Sequence, residues 1–137
     1  MHANTYLRFA GDCEEAFKYY ARVCGGAVET MSTYSDTPAA AQMPPDWLGK
    51  IIHATLRLGD TIIMGADAPP SFYSKPQGFA LTLSVDSPAE AERIFAAFSE
   101  GGASSMPMAP TFFAERFGMV VDRFGTPWIV ICERTAG

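Results

Sequence analysis

Histidine and cysteine are scarce in this chain: two His and three Cys among 137 residues, with no C-x-x-C spacing. An odd cysteine set without that spacing indicates neither a disulfide framework nor a zinc knuckle. Positive charge is also short, since 10 Lys+Arg against 15 Asp+Glu leave a net charge of -5. So acidic a fold does not hold polyanions by general electrostatics, and nucleic acid and anionic membranes are not expected partners. No apolar run approaches the roughly 20 residues that span a bilayer. The Met1-His2-Ala3-Asn4-Thr5 start lacks the basic and then apolar order of a secretory leader. Missing too are G-x-G-x-x-G, G-x-x-x-x-G-K-[ST], G-x-S-x-G and H-E-x-x-H, which removes the common nucleotide, hydrolase and zincin readings. A cytoplasmic domain is the remaining expectation. What is plentiful is apolar: 48% hydrophobic against 18% charged residues, enough to fill a core and too much for disorder.

The chain repeats itself. Glu14 to Ala27 lies over Glu90 to Ala103 without a gap at an offset of 76, and both segments close on Gly-Gly-Ala. Arg57-Leu58-Gly59 lies over Arg123-Phe124-Gly125 at an offset of 66, each followed by an apolar run. The first half therefore carries ten extra residues, which fall in the Pro/Ala-rich stretch Ser35 to Trp47, expected to be a loop.

Both halves share one local grammar. Thr5 to Phe9 and Ala80 to Val85 alternate with period two, as half-buried strands do. A helix follows each, with Asp12/Glu15 and Ser87/Glu90 at capping-box spacing, and Gly25 and Gly101 as stops. Strands are then expected near Ala27 to Thr33, Ile51 to Arg57 and Thr61 to Met64, and again over Ser104 to Met108, Met119 to Arg123 and Trp128 to Cys132. The fold class is α+β: two β-α-β-β-β modules, 4–66 and 78–134, joined by a Pro-containing linker, 67–77. One helix covers only one face of four strands. Two modules solve this by curling eight strands into a half-open barrel, helices outside and a ligand cleft within.

Tyr6-Leu7-Arg8-Phe9, the Glu-Glu-Ala-Phe-Lys-Tyr-Tyr helix ending in Gly25-Gly26, Ile52-His53-Ala54-x-Leu56 with Gly59, and above all Ala114 to Trp128 resemble the PhnB-like branch of the glyoxalase/bleomycin-resistance/dioxygenase superfamily. The resemblance spans nearly the whole chain. It implies paired modules, a homodimer and a ligand in the concave sheet, but no particular activity, because fold does not fix chemistry. Metal-dependent members place His and Glu ligands early in each module's first strand and four residues after the Gly of the last hairpin. Carried over, those positions hold Thr5, Ala80 and Ile129. None supplies an imidazole or carboxylate, so no metal or other cofactor is expected.

Of the two histidines, His2 sits next to a fraying terminus. His53 shares a strand face with Thr55 and Arg57, opposite Ile52, Ala54 and Leu56. With the apolar set under the helix, His53 points into the cleft as the candidate hydrogen-bonding or acid–base residue. Glu133 at the end of the last strand and Glu115, in a loop entering a strand beside Phe112 and Phe113, complete the candidate ligand set. Trp128 and Cys132 alternate into the core, and Asp122 to Gly125 reads as a hairpin turn. The leading expectation is a metal-independent protein that binds a small molecule. Its alternatives are a lyase, isomerase or oxygenase using a divalent metal at a non-standard site that includes His53, where a His53–Glu133 pair with water would hold the ion weakly, and a structural or partner-binding protein with a vestigial cleft.

Overall fold

The computed structural model describes residues 1–134. One compact unit spans Met1–Ser74 and a second begins at Lys75. The first contains β1 (Thr5–Phe9), α1 (Cys13–Cys24), β2 (Ala27–Thr33), β3 (Ile51–Leu58) and β4 (Thr61–Asp67). The second contains β5 (Leu81–Ser84), α2 (Pro88–Ser99), β6 (Ala103–Ala109), β7 (Ala114–Val121) and β8 (Pro127–Glu133). Each is a β-α-β-β-β module, and the sheets share one topology: β1-β4-β3-β2 and β5-β8-β7-β6. In both, the first strand pairs in parallel with the last and the other pairings are antiparallel. The α+β class and the duplication read from the sequence are thus present. No helix among the described residues is long and apolar enough to cross a membrane.

Helix–sheet packing explains the spacing of apolar residues. On α1, Ala16, Phe17, Tyr20 and Val23 are buried, the stripe of an amphipathic helix. Phe17 presses so closely on β4 that a Cβ built on Gly65 would stand 2.6 Å from its ring. In the second unit Phe95 of α2 does the same to Gly118 of β7, at 2.8 Å. Phe98 stacks on Trp128 with ring centroids 4.7 Å apart, so the Trp128–Val130–Cys132 face of β8 lies under the helix as expected. Each such buried aromatic contributes about 1.5–3 kcal/mol by area.

Four local expectations need correction. The Asp12 side chain makes no cap hydrogen bond on α1, whereas Ser87 accepts from the Glu90 N–H at 3.1 Å on α2. Instead, Asp67 of β4 takes over: its Oδ1 accepts from the Cys13 N–H at 2.9 Å. Strand β4 therefore runs past Met64 to Asp67. Strand β7 starts at Ala114 rather than Met119, because the pairing with β8 continues through an irregularity between Ala114 and Arg116. Glu115 and Arg116 are strand residues, not loop residues. The ten-residue surplus of the first module is not a plain loop either but three 3-10 turns, Tyr34–Asp36, Pro38–Gln42 and Pro45–Trp47, the last burying Trp47. Proline at first-turn positions starts two of them, since its φ is already helical and its missing N–H is not needed there.

Each module is fastened internally by one buried aspartate, by different routes. Asp67, 1% exposed, accepts from Cys13 N with Oδ1 and from Ile51 N with Oδ2, each at 2.9 Å, while its backbone carbonyl accepts from the Tyr34 hydroxyl at 2.7 Å. Asp122 accepts from the Phe124 and Thr126 N–H groups and from Trp128 Nε1 at 2.8 Å, closing the β7–β8 turn. Asp67→Asn puts an amide N–H against the N–H of Cys13 or of Ile51. The expected cost is about 1–3 kcal/mol in urea unfolding, the penalty of a buried donor left without an acceptor. Asp60→Asn, on an exposed turn, is expected to change stability by less than about 0.5 kcal/mol. Equal midpoints for the two variants would contradict this role for Asp67.

Candidate functional site

In the first unit, the strand register sorts side chains onto two faces. Leu7 and Phe9 of β1 are buried, and Phe9 meets Phe17 of α1 edge-to-face at 5.9 Å. Tyr6 and Arg8, which alternate with them, take the face without a helix. Arg8 pairs with Ala66, and His53 pairs with Ser32 across β3 and β2. Tyr6 pairs with Met64, Met64 with Thr55, and Thr55 with Thr30. The helix-free face thus carries Tyr6, Arg8, His53, Thr55, Arg57, Thr30 and Ser32 around Met64 and Ala66.

This register corrects one sequence-derived position. Thr5 alternates with Leu7 and Phe9 and shares their helix side, so the first strand offers Tyr6 to the open face. Counting back from Asp12 missed this, although the apolar Leu7 and Phe9 mark the parity that faces α1.

Tyr6 and His53 meet across the intervening β4 strand. Their ring centroids lie 5.9 Å apart, and the Tyr6 hydroxyl stands 3.5 Å from His53 Nδ1. Burial pushes the Tyr6 phenol above its usual range, with Cys13 and Tyr34 adding to the rise and the Arg8 charge opposing it. Thr55 and Thr30 share a hydroxyl–hydroxyl hydrogen bond of 2.7 Å. Arg57 is neutralised by Glu29 at 2.9 Å. Arg8 donates to the backbone carbonyl of Phe72, which ties the segment after β4 to β1. Of the sequence candidates, His53, Thr55 and Arg57 therefore lie together. Tyr6 and Arg8 join them and were missed, although their alternation with Leu7 and Phe9 was the available signal.

The second unit's open face differs. Its counterpart strands present Thr82 and Ser84 of β5, Ile129 and Ile131 of β8, and Phe117 and Met119 of β7. Phe113 packs on Phe117 at 5.3 Å and Phe112 on Phe113 at 5.1 Å. Ala80 precedes β5 and Ile129 lies within β8. Glu133 is exposed and borders a hollow of about 280 Å³ with Ser84, Val85, Asp86 and Arg134. Glu115 is half-buried and accepts from Cys132 Sγ at 3.6 Å. Its neighbour Arg116 pairs with Glu92 of α2 at 2.9 Å, at ion-pair distance but without hydrogen-bond geometry. A larger hollow of about 520 Å³ in the first unit is lined by charges of both signs, Asp12, Glu14 and Glu15 against Lys18 and Lys50, with Lys18 paired to Glu14 and Lys50 donating to the Gly11 carbonyl. Its size does not make it the candidate; the helix-free face carries the chemistry.

The chain is similar to known proteins in sequence and fold. A family model described as 3-demethylubiquinone-9 3-methyltransferase matches residues 2–131. Protein YjdN of Escherichia coli (strain K12) is 34% identical over 95% of this chain and 94% of its own. The chain belongs to the PhnB-like branch of the glyoxalase/bleomycin-resistance/dioxygenase superfamily. Protein PA1353 from Pseudomonas aeruginosa is 44% identical with a TM-score of 0.89, covering 98% of this chain and 99% of that one. A PhnB protein from Bacillus cereus is 25% identical with a TM-score of 0.80, over 96% and 99%. At 12% identity, a glyoxylase/bleomycin resistance protein/dioxygenase domain from Frankia shares the fold, with a TM-score of 0.66 over 98% of both chains.

Metal-dependent members of this superfamily set the test for the PhnB-like chain. On the first sheet's open face, His53 brings the imidazole and Tyr6 the phenol oxygen that a metal could meet. A catalytic zinc-type centre normally uses about three protein ligands, mostly imidazole, carboxylate or thiolate. Among the described residues no three His, Cys, Asp or Glu side chains cluster to supply them. The residues present do not fit such a metal.

Two of the three thiols, Cys13 and Cys132, are also poor nucleophiles. Cys13 is fully buried, and burial followed by the Asp67 charge pushes its thiol far above the ordinary range. Cys132 is raised in the same direction, first by burial and then by its bond to Glu115. Both raised values mean that only the unfolded chain releases these protons in the ordinary thiol range, so stability falls as pH climbs through and beyond it. Iodoacetamide at about pH 8 is therefore expected to leave Cys13 and Cys132 unmodified in the folded protein and to alkylate both after unfolding. Peptide mass mapping reads this directly. Modification of Cys13 without unfolding would contradict it.

Proposed function

We propose that this PhnB-like protein binds a small molecule on the helix-free face of its first sheet, without a metal, and works as a homodimer. The observation that carries the reading is the exposed Tyr6–His53 pair, two aromatic rings with a phenol and an imidazole nitrogen near each other on the sheet face opposite α1. Exposed aromatic faces provide apolar contact area, and their polar edges fix a ligand's orientation. Thr55 and Arg57 extend the polar side of the face. Glu115 and Glu133 stay candidates of the second unit, where Glu115 is engaged with Cys132.

The methyltransferase description of the family is not adopted as this chain's reaction. A glycine-rich nucleotide loop is absent from the sequence. Nor does the metal-dependent alternative gain support from the side chains on this face.

Elemental analysis of the purified full chain is expected to find no stoichiometric Zn, Mn, Ni or Fe, and chelation is expected to shift the melting temperature by less than about 1 °C. Stoichiometric metal that is lost in His53→Ala would overturn the metal-independent reading. Gel filtration is expected to show a species near twice 14.8 kDa. A thermal-shift screen in which His53→Ala and Tyr6→Phe bind every wild-type hit unchanged would move the site elsewhere.

A further inference from the structure

Donors and acceptors are unevenly distributed on the open face of the first sheet. Arg8 is exposed there, and among the described residues no carboxylate lies within ion-pair distance of it. Arg57 on the same face is already neutralised by Glu29. Arg8 spends one N–H on the Phe72 carbonyl, a neutral acceptor that holds the side chain in place without cancelling its charge. A guanidinium has five N–H donors, so four remain. Two positions back along β1 is the Tyr6 hydroxyl, which stands 3.5 Å from Nδ1 of His53, the β3 residue next to Ala54. Ser32 of β2 pairs with His53. An uncompensated cation stands among neutral donors, in a chain whose net charge is -5.

We propose that Arg8, with Tyr6 and His53, is a receptor for the oxyanion head group of the ligand, a carboxylate or phosphonate carried on a small apolar body. This rests on the small-molecule reading above and names its chemical class. A planar guanidinium presents paired N–H bonds that match two oxygens of such a group, and charge assistance makes those bonds stronger than neutral ones. Tyr6 donates its hydroxyl proton from one side, and His53 donates a ring N–H from the other. Tyr6, two residues before Arg8 on β1, and Phe72, whose carbonyl Arg8 holds, are exposed aromatics that supply apolar surface for the rest of the molecule. The same donor-rich composition that leaves a metal short of ligands suits an anion.

The probes are phenylphosphonate, benzoate and the neutral benzamide, titrated into the full chain by calorimetry with ¹⁵N-detected Arg and His side-chain resonances. Both anions are expected to bind about tenfold or more tightly than benzamide, and to shift the Arg8 and His53 signals. Arg8→Gln is expected to weaken the anions by about tenfold or more while changing benzamide by less than about twofold, which also shows that the variant folds. Arg8→Lys, keeping charge but not the fork, falls between them, and Lys18→Gln, which removes the same charge from α1, leaves all three probes unchanged. If benzamide binds as tightly as the anions and His53→Ala weakens it, the anion receptor is wrong while the small-molecule site stands. If anion affinity survives Arg8→Gln, the receptor is likewise wrong. If no probe binds saturably to the wild-type face, both fall together.

Discussion

The first module is organised around one buried carboxylate. Asp67 ends β4, lies beside Phe9 of β1 in the parallel register, caps the first N–H of α1 and holds the first N–H of β3. Its carbonyl fixes Tyr34 at the start of the 3-10 insertion. A charge 1% exposed is tolerated only because each oxygen has a backbone donor, which is the condition under which burying an ion does not unfold a small domain. With those ends tied, α1 settles on one side of the sheet, and Phe17 closes over Gly65 with no room for a Cβ. The parity that puts Leu7 and Phe9 under the helix is the same parity that turns Tyr6 and Arg8 away from it. The candidate site is a consequence of how the core is fastened.

Duplication makes the divergence of the two open faces easy to see. At the repeat offset of 76, Tyr6 corresponds to Thr82 and Arg8 to Ser84; at the offset of 66, His53 corresponds to Met119 and Asp67 to Glu133. The second module keeps the topology yet fastens it differently, with Ser87 capping α2 and Asp122 closing the β7–β8 turn onto Trp128. Freed from the cap, Glu133 is exposed at the strand end. Where one module has phenol, guanidinium and imidazole, the equivalent positions of the other hold hydroxyl and thioether groups. One copy retains hydrogen-bonding chemistry, and the other has become predominantly apolar.

Much of the fold was legible because its signals are local. Period-two alternation marked β1 and β5, Gly25 and Gly101 stopped the helices, and the offset repeat revealed the modules. What escaped depends on partners distant in sequence. The spacing of Asp12 and Glu15 looked like a capping box, but the cap came from Asp67, more than fifty residues away in the chain. The beginning of β7 was hidden because Glu115, Arg116 and Gly118 lack strand character of their own and are held by pairing to β8. At the site, His53, Thr55 and Arg57 were found by parity within one strand. Tyr6 and Arg8 were overlooked because a motif count from Asp12 was given precedence over the alternation of Leu7 and Phe9, and a one-residue slip exchanges the two faces of a strand.

That slip bears on how chemistry is lost and gained in this fold. A metal site needs acceptors, and its ligands must converge from several strands with their lone pairs unoccupied. Replacing acceptors by Tyr, Arg, Thr and Ser on the same pleated surface does not leave it inert; it reverses the polarity of what the surface can receive. Arg57 shows how readily such a cation is cancelled by a neighbouring acid, Glu29, when the register brings one within reach. Arg8 has the Phe72 carbonyl in that place instead. A neutral acceptor orients the guanidinium while leaving its charge available, and that difference separates an arginine that stabilises a strand pair from one that meets an anionic ligand.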